Sequence, residues 1–247
     1  GAVEITIRTA TASTETAEVV ILAETTEVAR AQIQANIATR ISLDSEIRLW
    51  SPEDPFLYDV HITLGTDQVT GYVGMRSFGV KRDANGRTRL LLDGEPYLHA
   101  GLLDQGYWPD GLYTAPSDEA LIFDIQTAKD LGFTVLRKHI KIEPLRWYHH
   151  CDRLGMLVWQ DMVNGGRTYN PAIITTPVFT GLRLDDSRHR LFGRQDTAGR
   201  VEFLQELDDT IELLRSVTSI TVWVPFNEGW GQFDARETAD RVRELDP

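Results

Sequence analysis

The segment TVWVPFNEGW, from Thr221 to Trp230, decides how this chain is read. It begins as a continuous apolar run of the kind that forms a buried strand, followed by a turn. Asn227 and Glu228 stand where the apolar run ends, between Phe226 and Trp230. Because apolar surroundings disfavour a charged carboxylate, we expect the flanking aromatic rings to keep Glu228 protonated. The segment therefore predicts a strand that carries an acid to one edge of a sheet.

The composition limits the classes of function. The chain has 247 residues, 42% of them hydrophobic, and a net charge of -12, which suits one large domain or two ordinary ones. It has no run of Lys and Arg that would follow a phosphate backbone, so we expect no nucleic-acid partner. No apolar run approaches the roughly 18 residues of a membrane span, so we expect no membrane partner. Cys151 is the only cysteine, which favours a reducing, cytoplasmic location. Gly1 opens directly into a strand pattern, so we expect the natural start to lie upstream.

Residues 1–85 have the pattern of an all-β domain. Half-buried strands are indicated by alternating segments separated by turn residues: VEITIRTA, AEVVILAET, AQIQANIATRI and YDVHITLG. Short strands at this spacing predict a β-sandwich of the immunoglobulin type.

Strands and helices alternate from about residue 88 onward. The strands are predicted in LLLDGEPYLHAG, FTVLRKHI, MLVWQDM and SITVWVPFNE, and helices at 117–132, 144–155, 201–217 and 234–247. Ser117 is the predicted N-cap of the first helix, and Gly132 is predicted to end it. A long polar loop is predicted at about 164–197. Four strand–helix repeats with nearly continuous apolar strands indicate a parallel sheet covered by helices.

Two α/β architectures compete for residues 86–247, an open doubly wound sheet and a (β/α)8 barrel. The open sheet usually has a Gly-rich turn after its first strand, and the GxGxxG motif is absent from the sequence. Polar side chains instead follow every strand, namely Asp104, Gln105, His139, Asp161, Asn227 and Glu228. Functional groups at several strand ends are typical of the barrel, so we predict about half of one, with four of its eight units.

Five motifs follow one another along the chain, namely RLWSPEDPFLYDV, GMRSFGV, LLLDGEPYLHAG, CDRLGMLVWQDM and VPFNEGW. Taken in this order, they resemble the family 2 glycoside hydrolases, which include β-galactosidases, β-glucuronidases and β-mannosidases. The resemblance implies an immunoglobulin-like domain at residues 1–85 and the N-terminal half of a TIM-barrel glycosidase domain at 86–247. LLDQGYWPDGLY and RKHIKIEP differ from the family's commoner sequences. Both lie in loops that shape the pocket, so the sugar is left open. The family's N-terminal jelly-roll domain and the second half of its barrel have no counterpart in the 247 residues.

The resemblance also implies roles for individual residues. Glu228 would be the general acid/base of a retaining β-glycosidase, and Asn227 would bind the sugar 2-hydroxyl. The nucleophile would follow a seventh strand, which the 247 residues do not include. Asp161 and Asp104 end strands at the same edge, and in this family such positions usually bind sugar hydroxyls. We therefore expect the chain alone to have no meaningful hydrolase activity.

Each of these site candidates also has a structural alternative. For Asn227 and Glu228 the alternative is that they only end a strand and face solvent, and for Asp161 that it bonds a neighbouring loop. His139 is either a ligand-binding group or a satisfied polar group at a strand end. Trp108, with its neighbour Tyr107, is either a platform for stacking sugars or part of ordinary loop packing. Trp230 is taken as substrate-binding because it flanks Glu228. Arg137, inside its strand, is expected to be the buried partner of a carboxylate such as Asp161 or Glu228.

No metal or cofactor is predicted. The cluster His149, His150, Cys151 cannot converge on one ion, because consecutive helical residues point about 100° apart. Cys151 is instead expected to be a small buried hydrophobic residue.

The expected partner is a carbohydrate substrate. The rival hypothesis is a module that binds glycans or supports another domain without catalysis. A half-barrel would also expose the edge of its fourth strand, so self-association is expected.

Overall fold

A computed structural model describes residues 1–10, 14–44, 46–168 and 170–247. The chain divides into two compact units. The first is Gly1–Leu98 together with Asp152–Gly155, and the second is His99–Cys151 together with Met156–Pro247. The first unit is built from β-strands and the second from alternating strands and helices, as expected of a multidomain β plus α/β chain. The domain boundary proposed between residues 85 and 86 stays a prediction.

The first unit contains nine strands among the described residues. They are β1 (Ala2–Ile5), β2 (Thr16–Ala23), β3 (Thr26–Gln34), β4 (Thr39–Ser42), β5 (Tyr58–Leu64), β6 (Asp67–Val73), β7 (Phe78–Arg82), β8 (Thr88–Leu92) and β9 (Glu95–Pro96). They form antiparallel sheets in the orders β3-β2-β5-β6, β1-β4 and β7-β8-β9.

The alternation of side chains along β2 explains the core of this unit. Ala17, Val19 and Ile21 are fully buried, while the residues between them are partly exposed. Val3 of β1 and Ile41 of β4 pack into the same cluster as the β2 residues, so two sheets share one core. Burying one such aliphatic side chain contributes about 1.5–3 kcal/mol, and this repeated burial defines the strand register.

The remaining elements form the α/β part of the chain. They are β10 (Gly101–Asp104), α1 (Asp118–Asp130), β11 (Val135–Lys138), α2 (Leu145–Leu154), β12 (Leu157–Asp161), α3 (Pro171–Thr180), α4 (Thr197–Leu214), β13 (Ile220–Val224) and α5 (Ala235–Leu245). The four strands are parallel and lie in the order β10-β11-β12-β13, so strands that follow one another along the chain are neighbours in the sheet. Their carboxyl ends therefore share one edge.

Helix α1 follows the signals in its sequence. The Ser117 hydroxyl accepts a hydrogen bond from the Ala120 N–H at 3.3 Å, which confirms the predicted N-cap. Gly132 follows the helix with φ +89°, a conformation that favours glycine. Cys151 is fully buried in α2, as expected for a small hydrophobic residue.

Helix α3 was not predicted. It lies within the region expected to be a polar loop, which also includes Tyr169, a residue outside those described. Asn170 caps the helix by accepting from the Ala172 N–H at 3.0 Å, and Gly181 ends it in the left-handed conformation. None of its ten residues, all of which are described, is buried. It therefore has no apolar stripe for sequence periodicity to detect.

Helix α4 also differs from its prediction. It begins at Thr197, with Asp196 as N-cap, four residues before the predicted start at Val201. The Asp196 carboxylate accepts from the Ala198 N–H at 3.2 Å, which accounts for the earlier start.

Among the described residues, no helix is both long and apolar enough to cross a membrane.

Candidate functional site

The predicted site residues follow the carboxyl ends of the parallel strands. Asp104 and Asp161 are the last residues of β10 and β12, and His139 directly follows β11. Asn227 and Glu228 come shortly after β13 ends at Val224. Strand register places Asp104 beside Lys138 and Asp161 beside Val224. The edge of the sheet thus carries polar groups from all four strands.

Arg137 connects two of these residues directly. Its guanidinium donates from Nε to Asp161 Oδ1 at 2.9 Å and from Nη2 to Asp161 Oδ2 at 3.0 Å, a two-point ion pair. The same Nη2 donates to Asn227 Oδ1 at 2.8 Å. This ion pair confirms the prediction that Arg137 is the partner of a strand-end carboxylate, and the Asp161 side chain is fully buried. Because Oδ1 of Asn227 accepts this bond, its amide nitrogen is the end left to donate to a ligand.

Glu228 lies in a different environment from the one expected. Phe226 stacks on Phe203 of α4 with ring centroids 5.1 Å apart and meets the edge of Phe233 at 5.4 Å. These contacts join Phe226 to a hydrophobic cluster that also contains α4 and α5 residues. Glu228 itself is exposed, so the expectation that flanking aromatic rings enclose its carboxylate is wrong. The side chain is instead accessible to a ligand.

Trp230 is held by the segment that follows β12. Its indole Nε1 donates to the Arg167 carbonyl at 3.0 Å, and its own carbonyl accepts from Asn164 Nδ2 at 3.4 Å. Arg194 strengthens this junction by donating to the Gly231 carbonyl at 2.7 Å and to Asn164 Oδ1 at 2.6 Å. Burial lowers the pKa of the Arg194 guanidinium from its usual value. The turn that carries Glu228 is therefore tied to the neighbouring strand's loop.

A buried charge cluster lies beside β10 and β11. Lys138 Nζ donates to Asp104 Oδ2 at 2.7 Å and to Glu143 Oε1 at 2.9 Å, and Lys141 Nζ lies 2.9 Å from the same Glu143 oxygen. Lys138 is only 1% exposed. Two lysines and two carboxylates balance each other, as buried charges require. Burial, and then the charge of Asp104, raises the pKa of nearby Asp124 on α1.

Sequence reasoning missed the members of this cluster other than Asp104. The signal in the sequence was the spacing of Lys138, Lys141 and Glu143 in KHIKIE, immediately after an apolar strand. Asp104 is engaged at both oxygens, since Oδ1 accepts from the Gly106 N–H at 2.9 Å. Its predicted role in binding sugar hydroxyls stays a prediction.

His139 and Trp108 occupy the loops around this cluster. Gln105 Nε2 donates to His139 Nδ1 at 3.0 Å, which leaves the other ring nitrogen of His139 to carry a proton. The Trp108 backbone exchanges hydrogen bonds with Leu112 and closes the loop after β10. Within the described ranges, no group of three or more His, Cys, Asp and Glu residues is placed to hold a metal ion.

Comparison with known proteins gives a consistent result. Residues 1–76 match the family profile of glycosyl hydrolases family 2. A beta-galactosidase of Lactococcus lactis subsp. lactis is 28% identical over 46% of this chain and 11% of its own length. A putative beta-glucuronidase of Formosa agariphila is 29% identical over 48% of this chain and 11% of its own length. The matched segment thus spans about a tenth of these curated relatives.

Solved structures resemble nearly the whole chain. The beta-D-glucuronidase of Dictyoglomus thermophilum has a TM-score of 0.74 and 18% identity, covering 94% of this chain and 38% of that one. The FMN-binding beta-glucuronidase of Facaelibacterium prausnitzii has a TM-score of 0.69 and 22% identity, covering 94% and 33%. At such identities the likeness concerns the fold alone.

The fold and these matches define the class of protein that this chain resembles, the glycoside hydrolases. Within that class, the resemblance to family 2 that the sequence motifs indicated is confirmed.

Proposed function

We propose that the protein containing this chain is a retaining β-glycosidase in which Glu228 is the general acid/base. The observation that carries the proposal is the Arg137 bridge, which joins buried Asp161 to Asn227 at 2.8 Å, directly beside Glu228 in sequence. Such preorganisation fixes an amide donor next to an accessible carboxyl group at one strand end. The similarity of the chain to a beta-galactosidase and a putative beta-glucuronidase also supports glycosidase activity.

The proposed architecture follows from the strand order. We propose that residues 1–85 form an immunoglobulin-like sandwich and that residues 86–247 form the first half of a (β/α)8 barrel. Four parallel strands in chain order, with helices between them, are what such a half-barrel requires. The polar groups at the carboxyl ends of the strands are also typical of that fold.

In the proposed mechanism, Glu228 acts twice. Its protonated carboxyl group donates to the glycosidic oxygen while a second carboxylate attacks the anomeric carbon and the leaving alcohol departs. The Glu228 carboxylate then removes a proton from the water that hydrolyses the glycosyl–enzyme ester. Asn227 donates its amide N–H to the sugar 2-hydroxyl. Asp161, His139, Trp230, Asp104 and Trp108 are proposed to surround the substrate.

The nucleophile is proposed to lie outside these 247 residues. Asp161 is bound at both oxygens by Arg137, and Asp104 by Lys138 and the Gly106 N–H. A carboxylate neutralised in this way is a poor nucleophile. We therefore expect the 247-residue chain to hydrolyse none of a panel of nitrophenyl β-glycosides above background. Hydrolysis by this chain that Glu228→Gln abolishes would overturn this part of the proposal.

The acid/base role is tested in the full-length protein with Glu228→Ala. The rate should fall by about 10²–10⁴-fold for alkyl glycosides, whose leaving group needs a proton. The loss should be much smaller for dinitrophenyl glycosides, because their leaving group departs unprotonated. Azide should restore turnover and yield a β-glycosyl azide, since this anion attacks the intermediate without a general base.

Glu202→Ala, which removes an exposed glutamate from α4, is the matched control and should retain full activity. Equal losses for good and poor leaving groups, with no azide product, would contradict the assigned role. Sugar binding without any Glu228-dependent hydrolysis would favour the non-catalytic glycan-binding module instead.

A further inference from the structure

We infer that Tyr107 and Tyr113 form a stacking platform for one face of a pyranose ring, and that buried Lys141 holds this platform in place. The inference rests on the proposed function, because it adds a sugar subsite to the same edge of the sheet. It concerns the loop from Gln105 to Thr114, which directly follows β10.

The two tyrosines are paired by a small hairpin. Trp108 and Leu112 exchange backbone hydrogen bonds of 2.8 and 2.9 Å, which makes Tyr107 and Tyr113 the next cross-strand pair. Their ring centroids lie 4.9 Å apart at an interplanar angle of 46°, and their hydroxyl oxygens are 2.7 Å apart. The residues are nevertheless 59% and 57% exposed. The pair is thus ordered by its own contacts while much of its aromatic surface remains open.

Lys141 binds both ends of this hairpin. Its Nζ donates to the Gly106 carbonyl at 2.7 Å and to the Tyr113 carbonyl at 2.9 Å. The same ammonium lies 5.4 Å from the centre of the Tyr113 ring, within the range of a cation–π contact. Its charge is balanced by Glu143, which also binds Lys138. A buried charge cluster therefore sets the position of an exposed loop.

Gly106 shows how closely the loop sits on the cluster. It has φ +63°, and a Cβ atom at this position would lie 2.3 Å from Glu143 Oε1 and 2.8 Å from Lys141 Nζ. Glycine is required here both for its conformation and for the space above the two side chains.

A sugar ring is the ligand that fits these features. Aromatic faces pack on the apolar C–H face of a pyranose, and burial of their exposed surface favours binding. The paired tyrosine hydroxyls add hydrogen-bonding groups for the sugar's own hydroxyls. The lysines beneath are already paired, so the platform offers a sugar face rather than a free cation. Its place directly after β10, beside the proposed site residues Asp104 and His139, connects it to the substrate edge.

Saturation-transfer NMR on the 247-residue chain tests the platform, with methyl β-D-galactopyranoside and methyl β-D-glucopyranoside as probes. We expect transfer to at least one probe to be strongest at its ring C–H protons. Tyr107→Ala and Tyr113→Ala should each reduce this transfer at least fivefold. Phe179→Ala, which removes a ring that is 86% exposed on α3, should leave it unchanged. The inference would be overturned if the wild type showed transfer to neither probe. It would also be overturned if both tyrosine variants showed the same transfer as the wild type.

Fluorine NMR of 3-fluorotyrosine-labelled chain tests the lysine clamp. Lys141→Met should shift the Tyr107 and Tyr113 resonances and reduce sugar transfer, while the resonance of buried Tyr58 in the first unit stays in place. Gly106→Ala should shift the same two resonances without removing a charge. If Lys141→Met fails to fold, Gly106→Ala alone decides the point. Unchanged resonances in the variants that fold would exclude the clamp.

Failure of this inference can be separated from failure of the proposed function. The platform is measured as saturation transfer in the 247-residue chain, whereas the acid/base role is measured as hydrolysis by the full-length protein. Loss of transfer in the tyrosine variants, without Glu228-dependent hydrolysis in the full-length protein, would leave the platform standing and remove the glycosidase. The converse result would remove the platform alone.

Discussion

Arg137 holds the side chains at two strand ends, Asp161 and Asn227, in fixed positions. Its planar guanidinium binds both oxygens of Asp161 and still reaches Asn227, three hydrogen bonds that a lysine cannot reproduce in this geometry. Asp161 has no exposed surface, so its charge depends on this partner. The Arg137 side chain is 30% exposed, which moderates the cost of losing it.

Replacing Arg137 by Met should therefore destabilise the second unit by about 2–3 kcal/mol, somewhat less than the 3–5 kcal/mol typical of breaking a fully buried pair. Urea unfolding followed by tryptophan fluorescence measures this, because five of the six tryptophans (all but Trp50) lie in the second unit. Arg243→Met breaks an exposed ion pair with Asp240 on α5 and should cost less than about 0.5 kcal/mol. Equal losses for the two variants would contradict the importance of the Arg137 bridge.

Single residues also show what sequence alone can predict. The Arg137–Asp161 pair was predictable, because an arginine inside an apolar strand needs a carboxylate and strand-end aspartates were the candidates. The pairing of Lys138 with Glu143 was not predicted, since it depends on how the chain turns after β11. The exposure of Glu228 was mispredicted for a related reason. Sequence neighbours such as Phe226 can point into a different layer, here toward α4.

At the scale of elements, the loops show the greatest departures from prediction. Helix α1 and the strands β11, β12 and β13 followed from apolar periodicity and caps, which are local signals. The first strand was predicted at residues 90–101, which instead contain antiparallel β9 and the end of β8, and the parallel strand β10 begins only at Gly101. Helix α3 carries the same end signals, Asn170 with Pro171 and Gly181, but lacks a buried face. Its internal Pro177 is also unfavourable within a helix. Periodicity thus reports helices that pack on a core and overlooks those that do not.

The turn after β13 depends on a glycine, and this can be tested. Gly231 has φ +76°, and a Cβ atom there would lie 2.6 Å from the Gly165 carbonyl oxygen. Gly231→Ala should cost about 2–4 kcal/mol, combining the left-handed conformation with displacement of neighbouring backbone. Gly181→Ala is the matched control, because its φ is +66° but nothing lies within 4 Å of the added carbon.

The control should cost only about 1–2 kcal/mol, the conformational part alone. The same urea measurement compares the two variants. Equal destabilisation would show that the Gly165 backbone moves away freely. In that case the junction that holds Trp230 is softer than its hydrogen bonds indicate.

At the scale of the whole molecule, the unpaired edges of the parallel sheet are expected to determine whether copies of the chain associate. The parallel sheet has β10 at one edge and β13 at the other, in the part of the chain that the structure describes. Leu103 on β10 is 56% exposed and Leu102 is 38% exposed. Unpaired strand edges with apolar flanks favour association between molecules.

We therefore predict that the isolated chain self-associates at moderate concentration. Light scattering coupled to size-exclusion chromatography should give an apparent mass above that of the 27.9 kDa chain, rising with concentration. Leu103→Glu should lower the associated fraction, while Leu131→Glu, at an exposed position after α1, should not. A clean monomer throughout the concentration range would contradict the prediction.

The hydrogen bonds from Lys141 to the carbonyls of Gly106 and Tyr113 have a consequence for protein engineering. This lysine holds the two ends of the hairpin through their backbone carbonyls, and it also contacts the Tyr113 ring. Side chains between the two anchors can therefore be exchanged while the attachment points stay the same, except at Gly111, where a Cβ atom would lie 2.0 Å from the Thr114 carbonyl oxygen. A library that varies the side chains between these two anchors is expected to change sugar preference at the proposed platform while the Lys141 contacts to the Gly106 and Tyr113 carbonyls remain.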